Sequence, residues 1–205
     1  MVSVQTLAGV LAERGKTDEA EPLFREALAT GKEMLGEGHL LTLSAHGAYA
    51  MFLEDGGRMD EAQRLREDEA AIAERQYGER HPGVARALEG LGRHFLARGQ
   101  PAEAEPHFRR ALAVRQRLHP AGHWRIAAAN AMVGRCLVEA RRPREAEPFL
   151  RAGYEGLRNS PESRSDVTRA TLARLIDVLE ASGRAEEAAR YRADQSAPEA
   201  AQARR

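Results

Sequence analysis

The stretch Gly99-Gln100-Pro101-Ala102-Glu103-Ala104-Glu105-Pro106-His107-Phe108-Arg109-Arg110-Ala111-Leu112 decides the fold. Upstream of it, Val84, Leu88, Leu91, Gly92 and Phe95 fall at helical spacing and form one apolar stripe. Gly99 can take a positive φ and close that helix. Pro101 to Ala104 opens a second helix with acid in its first turn, where the helix dipole favours negative charge. Pro106 sits about one turn in, where the early N–H groups lack intrahelical acceptors and proline does little harm. Phe108, Ala111, Leu112 and Val114 make the second stripe, and His119-Pro120 breaks it. The unit is a helix A, a tight glycine turn, a helix B and a short connector.

The unit recurs. Glu-Ala stands at Glu19-Ala20, Glu61-Ala62, Glu103-Ala104, Glu145-Ala146 and Glu187-Ala188, a constant step of 42 residues. Four residues ahead of each stand Gly15, Gly57, Gly99, Arg141 and Gly183, so the fourth copy alone lacks the turn glycine. His39, His81 and His123 keep the step in the connector, with Ser165 in the fourth slot. Two apolar columns run through all copies: Leu7, Tyr49, Leu91, Val133, Leu175, and Leu11, Leu53, Phe95, Leu137, Leu179. A single helix pair cannot bury its stripe alone, so neighbouring pairs must stack.

These residues resemble the tetratricopeptide repeat, in the long variety found in kinesin light chains and many bacterial proteins. The small column Ala8, Ala50, Gly92, Gly134, where helices A and B touch, carries the likeness, with the Ala-x3-Phe pairs Ala20 to Phe24 and Ala104 to Phe108. It implies an all-α fold, a right-handed α-solenoid of about five helix-turn-helix repeats. The copies are placed at about 1–39, 40–81, 82–123, 124–165 and 166–194, one array over 1–194, with a disordered tail at 195–205. A weaker resemblance, on His123-Trp124-Arg125-Ile126, the Glu-Ala-Glu-Pro-Phe-Leu run and Glu186 to Arg192, is to tetratricopeptide extensions of bacterial Ser/Thr protein kinases. It implies a C-terminal regulatory or sensory module whose catalytic part lies elsewhere. No Gly-rich loop, His-Arg-Asp or Asp-Phe-Gly stands in this sequence.

Composition narrows the function. The chain has 205 residues, 31 basic and 31 acidic, a formal net charge of zero and 42% hydrophobic residues. That balance gives no bulk field for nucleic acid or an anionic membrane. Single Cys136 excludes an internal disulfide framework and a cysteine-based zinc module, which fits a reducing, cytoplasmic setting. No apolar run approaches the ~20 residues that span a bilayer. The first helix begins with Val2, Val4, Leu7, Val10 and Leu11 and no capping element, so a preceding repeat or a self-association surface is expected there.

Candidate chemical groups reduce to scaffold roles. Equivalent positions in successive repeats lie too far apart to share one ion, so His39, His81 and His123 are expected to pack or hydrogen-bond before helix A. Cys136 shares an apolar column with Val10, Phe52, His94 and Val178 and reads as a buried inert thiol. His94 is expected to be partly buried with a local partner, His107 a surface residue, and Trp124 a packing residue between helices. Pairs such as Glu19/Glu21 and Glu103/Glu105 sit at helix starts, where dipole and capping account for them. No nucleophile, phosphate cradle or metal constellation emerges; a non-enzymatic chain without cofactor or metal is expected.

The family resemblance puts the partner on the A helices' concave face, which predicts a protein or peptide ligand. Gln5, Thr6, Glu13, Gly47, Ala48, Met51, Asp55, Arg86, Glu89, Arg93, Met132, Arg135, Arg174 and Asp177 are the candidates, with Gln5, Met51, Arg86, Glu89, Arg93, Met132, Arg135 and Arg174 foremost. The long-type family often has paired asparagines at the slots held here by Glu89 and Gly90. Arg93 and Arg135 point to an acidic or carboxylate-bearing partner, since a guanidinium forks a carboxylate well. The bland alternative pairs these arginines with Glu89 and Glu139. Without its turn glycine, the fourth copy is expected to form the weakest interface with the fifth.

Overall fold

The computed structural model describes residues 2–163 and 165–202, with side chains for 3–163 and 165–193. Ten α-helices are described, in five pairs: α1 (Val2–Glu13) with α2 (Thr17–Leu35), α3 (Leu40–Asp55) with α4 (Met59–Tyr77), α5 (Pro82–Ala97) with α6 (Pro101–Leu118), α7 (Trp124–Glu139) with α8 (Pro143–Arg158), and α9 (Asp166–Ala181) with α10 (Ala185–Gln202). No strand occurs among the described residues, so the fold is all-α. The A helices from the second copy on start at Leu40, Pro82, Trp124 and Asp166, keeping the sequence step. Contacts gather into two compact units, Met1–Val114 and Arg115–Arg205. The backbone of α10 is helical to Gln202, past residue 195, where the repeat pattern places the start of a disordered tail. Ala, Glu and Gln there favour helix, and residues 203–205 lie outside the described ones.

Each A helix ends in the same two backbone bonds. Lys16, Arg58, Gln100, Arg142 and Arg184 donate their N–H to the carbonyls of Leu11, Leu53, Phe95, Leu137 and Leu179, at 2.8–2.9 Å. One residue earlier, Gly15, Gly57, Gly99, Arg141 and Gly183 donate to Ala12, Glu54, Leu96, Val138 and Glu180, at 2.9–3.0 Å. This is the Schellman closure, and it requires a left-handed residue at the turn. The four glycines adopt φ of +70 to +75°, and Arg141 is forced to +61°, the one non-glycine with positive φ among the described residues.

The connector histidines cap the next A helix. Nδ1 of His39, His81 and His123 accepts from the N–H of Leu41, Gly83 and Arg125 at 3.1–3.2 Å. In the fourth slot the Ser165 hydroxyl accepts from Thr168. The acceptor nitrogen must be unprotonated, so these rings carry their proton on Nε2. His81 stacks on Tyr77 and His123 on His119, both with ring centroids 4.1 Å apart. Trp124 is half-buried against the His123 ring, with the Arg125 guanidinium 4.4 Å above it.

Within each pair the small column sets the approach of A to B. A Cβ added at Gly92 would stand 2.8 Å from the Phe108 ring, and one at Gly134 2.7 Å from Leu150. In the first unit Ala8, Ala20, Phe24, Tyr49, Leu53 and Ala62 form a core, with the Phe24 and Phe52 rings 5.0 Å apart. In the second, Ala127, Ala131 and Leu157 pack where Gly153 and Gly156 let α8 close on α7. Cys136 is fully buried. Leu7 is half exposed, although Tyr49, Leu91, Val133 and Leu175 in its column are buried.

His46 is a polar residue in an apolar place. Its column holds Val4, Leu88, Asn130 and Leu172, the ring is fully buried, and neither nitrogen has a partner among the described residues. Burial, helped by the Lys32 cation, pushes its pKa from 6.5 down to about 4. The folded state therefore binds fewer protons than the unfolded one, so stability is fully present above pH 6.5 and falls as pH drops towards 4. Urea midpoints taken across that range should decline in the wild type and decline less in His46→Leu. An equal decline in both would remove His46 as the cause.

The left-handed turn gives a second expectation. A side chain at positive φ costs roughly 1–2 kcal/mol, and glycine's extra freedom in the unfolded chain returns ~0.4–1 kcal/mol of that. Arg141→Gly should therefore raise the unfolding free energy by roughly 0.5–1 kcal/mol in urea denaturation, and Gly99→Ala should lower it by about 1 kcal/mol.

Candidate functional site

Adjacent A helices of the first unit enclose a groove of about 760 Å³ between α1 and α3. Gly9 on α1 and Ala48 on α3 keep its walls low, and the N-terminal turns of α2 close one end. Met51 lines it with 56% of its surface exposed, as do Leu41, Phe24 and Phe52. Gln5 reaches across from α1, its Nε2 only 3.4 Å from the Ser44 carbonyl, a long and weak bond. Four carboxylates line the groove, Glu13, Asp18, Glu21 and Asp55, against one guanidinium, Arg58.

Arg58 is itself committed. It forks Glu61 with two bonds of 2.7 Å and donates to Glu21 at 2.7 Å. Tyr49 donates its hydroxyl to the same Glu21 oxygen and receives Arg25 Nε. The Arg58 bond, with Tyr49 and Arg25 behind it, holds the Glu21 carboxyl below its ordinary pKa. The clasp recurs in the second unit, where Arg184 bonds both Glu187 and Glu147 and Arg151 bridges the same two acids. A second recess, about 780 Å³ between α8 and α10, is lined by Arg151, Arg184, Glu187 and Tyr191 among others, so much of its charge is internally matched.

A buried polar chain links the second and third copies. His94 Nδ1 donates to Glu54 Oε1 at 2.9 Å, and Arg66 forks Glu54 at 3.0 and 3.1 Å. Arg66 Nη1 lies 3.6 Å from Glu69, and Glu69 lies 2.9 Å from Arg86 Nη1, attracted by charge but out of hydrogen-bond alignment. The Glu69 side chain is wholly buried and that of Arg66 is 9% exposed. Burial raises the Glu54 pKa, but the Arg66 bonds outweigh it and hold the carboxyl below its ordinary value. For Glu69 burial wins over Arg86 and Arg66, and its pKa is raised. Gly47 and Gly90 make the room: a Cβ at Gly47 would meet Glu69 at 3.1 Å, and one at Gly90 would meet Arg66 at 3.0 Å.

The candidate residues separate between the units. Gln5 and Met51 line the groove, and Arg86 is held by buried Glu69. Arg93 is exposed and forms no hydrogen bond or ion pair among the described residues; surrounding protein disfavours its charge, half-buried Glu89 favours it, and the Arg66 cation disfavours it. In the second unit Met132 is half-buried, Arg135 is ion-paired with Glu139 at 2.7 Å, and Arg174 donates to the Ala170 carbonyl. Burial and then Arg135 disfavour the Arg174 charge. For Arg135 the bland pairing is therefore the observed one.

Two histidine expectations need correction. His94 is 1% exposed rather than partly buried, and its partner Glu54 belongs to the preceding copy, 40 residues away. His107 is half-buried rather than on the surface: its ring lies flat on Phe95, with centroids 5.5 Å apart, and burial lowers its pKa. The sequence reading also passed over Asp18, Glu54, Arg66 and Glu69. The signal for the last three was in the columns, where Arg66 stands with Phe24, Phe108, Leu150 and Arg192, Glu69 with Ala27, Ala111, Gly153 and Gln195, and Glu54 with Ala12, Leu96, Val138 and Glu180.

Two tetratricopeptide-repeat family models match the chain, over residues 3–40 and 41–117, together more than half of it. The chain belongs to the tetratricopeptide repeat family. BtubC (BKLC) from P. vanneervenii is similar in structure, with a TM-score of 0.83 and 23% identity over 96% of this chain and 80% of that one. So are the kinesin-light-chain TPR-like repeats of a Podosopora anserina protein, with a TM-score of 0.76 and 22% identity over 96% and 95% of the two chains. Pseudomonas aeruginosa pilF follows at 0.64 and 19%, over 94% and 73%. At these identities the likeness establishes the fold. None of the curated proteins matches the chain's sequence. No described helix is long and apolar enough to cross a membrane.

Removing one partner of a buried ion pair costs about 3–5 kcal/mol, whereas replacing the whole set with fitted apolar groups is often neutral or stabilising. Arg66→Ala should lose stability of that order. The variant that restores the column residues, Glu54→Leu with Arg66→Phe, Glu69→Ala and His94→Val, should unfold at a urea concentration near or above the wild type's.

Proposed function

We propose that this chain is a non-catalytic interaction scaffold that holds a peptide or protein on its helix-A face, with the groove between α1 and α3 as one seat. The supporting observation is Met51, 56% exposed and lining a groove of about 760 Å³ between two A helices. A large, flexible apolar side chain left in a cleft lined by small residues is suited to take up a ligand's apolar group. The fold supports the same reading, because helices joined by short, capped turns present a row of side chains with little freedom to rearrange.

Panning a displayed random-peptide library on the protein tests this. Enriched peptides should lose most of their binding to Met51→Asn and keep it with Met34→Asn, a change at a methionine 75% exposed on α2. Enrichment that ignores Met51 would move the seat off this groove.

A further inference from the structure

We propose that the groove between α1 and α3 takes a segment bearing Lys or Arg beside apolar side chains; this rests on the scaffold reading above and adds the chemistry of the partner. The first argument is charge. The groove carries four carboxylates and one guanidinium in a chain whose net charge is zero, so the negative potential is local. The guanidinium, Arg58, is bound by Glu21 and Glu61. Among the described residues Glu13, Asp18 and Asp55 form no hydrogen bond or ion pair, and all three are exposed.

The second argument is where two of those acids stand. Glu13 is the last residue of α1 and Asp55 the last of α3, at the negative end of each helix dipole. Neither helix has a basic residue in its last turn to offset them. The equivalent positions elsewhere are Ala97 and Ala181, or Glu139 with Arg135 bonded to it. Two uncompensated carboxylates at adjacent helix ends, both facing one groove, form an electrostatic conflict that a ligand cation resolves.

The third argument is the floor. Met51, 56% exposed, stands on α3 between Asp55 and Ser44, and Leu41, 39% exposed, lines the groove beyond Ser44. An ammonium or guanidinium on an aliphatic stem fits both halves, the stem along Met51 and the charge at Asp55 or Glu13. A segment with carboxylates would meet the same acids with repulsion. The Gln5 amide, weakly held at 3.4 Å from Ser44, is placed to turn towards a bound backbone.

Fluorescence anisotropy with two labelled synthetic peptides tests the chemistry, one alternating Lys and Leu and the other Glu and Leu. The Lys-Leu peptide should bind about tenfold or more tighter than its counterpart and weaken several-fold as salt rises from about 0.05 to about 0.5 M. The triple variant Glu13→Gln, Asp18→Asn, Asp55→Asn should lose about tenfold in affinity while its urea midpoint stays level, because removing Glu13 and Asp55 relieves charge at two helix C-termini and removing Asp18 loses charge that the start of α2 favours. Equal binding of both peptides, no binding of either, or an unchanged affinity in the triple variant would overturn the inference. Met51→Asn separates it from the scaffold reading. If panned peptides still depend on Met51 while the acids prove irrelevant, the groove stands and its cationic preference falls. If binding of the Lys-Leu peptide ignores Met51, it is not groove binding, and the inference falls.

Discussion

Every A helix in this chain must end with one residue at positive φ, and the rest of the array follows from that requirement. The left-handed residue turns the chain so that two N–H groups reach back to the helix's last free carbonyls, which fixes the direction in which helix B leaves. Once that direction repeats, the same residue of each A helix meets the same residue of its B helix, and a column of small side chains becomes obligatory at the contact. Gly92 and Gly134 show how strict it is, since even a methyl group there would run into Phe108 or Leu150. Capping histidines do the corresponding work at the other end of α3, α5 and α7, and Ser165 does it for α9. Arg141 shows the turn dominating side-chain preference: the closure forms at the same distances with an arginine in the glycine's place.

Because these requirements recur at a fixed interval, the fold was readable from the sequence with little else. The Glu-Ala pairs and apolar columns show one constraint five times, the turn glycines four times and the connector histidines three. The capping role of His39, His81 and His123 was narrowed to packing or hydrogen bonding but not resolved, because spacing does not say which nitrogen meets which N–H. The groove was half legible. Gln5, Glu13, Met51 and Asp55 were found by taking the face opposite the core stripe. Asp18 was not, because it belongs to a B helix and reaches the groove only through the way α2 leaves its turn.

The buried chain from His94 to Arg86 escaped notice for a different reason. Columns were read for their agreement, and Glu54, Arg66 and Glu69 are departures from agreement. Each alone looks like a tolerated polar substitution; together they are mutually dependent, since no one of them can be buried without the others. Such a chain adds little net stability; its Glu54–Arg66 pair recurs as Glu180–Arg192 in the fifth copy, whereas His94 and buried Glu69 are particular to the contact between the second and third copies. Phe24, Phe108 and Leu150 fill with carbon the place that Arg66 fills with charge. A polar contact of this kind accepts only its complement, which fixes the order of repeats that are otherwise similar in shape.

Departure from the repeat is thus the common thread of what is particular to this chain. The consensus positions make a scaffold, and a scaffold has no reason to place an acid at the wrong end of a helix. Glu139 ends α7 with Arg135 bonded to it, and α5 and α9 end in alanine. Only α1 and α3, among the five A helices described, end in a carboxylate with no such compensation, and they are the two that border the groove. A fold built from repeats tends to repeat its solutions as well. Where it leaves one electrostatic problem unsolved at two neighbouring helix ends, beside an exposed methionine, the missing countercharge belongs to something that binds there.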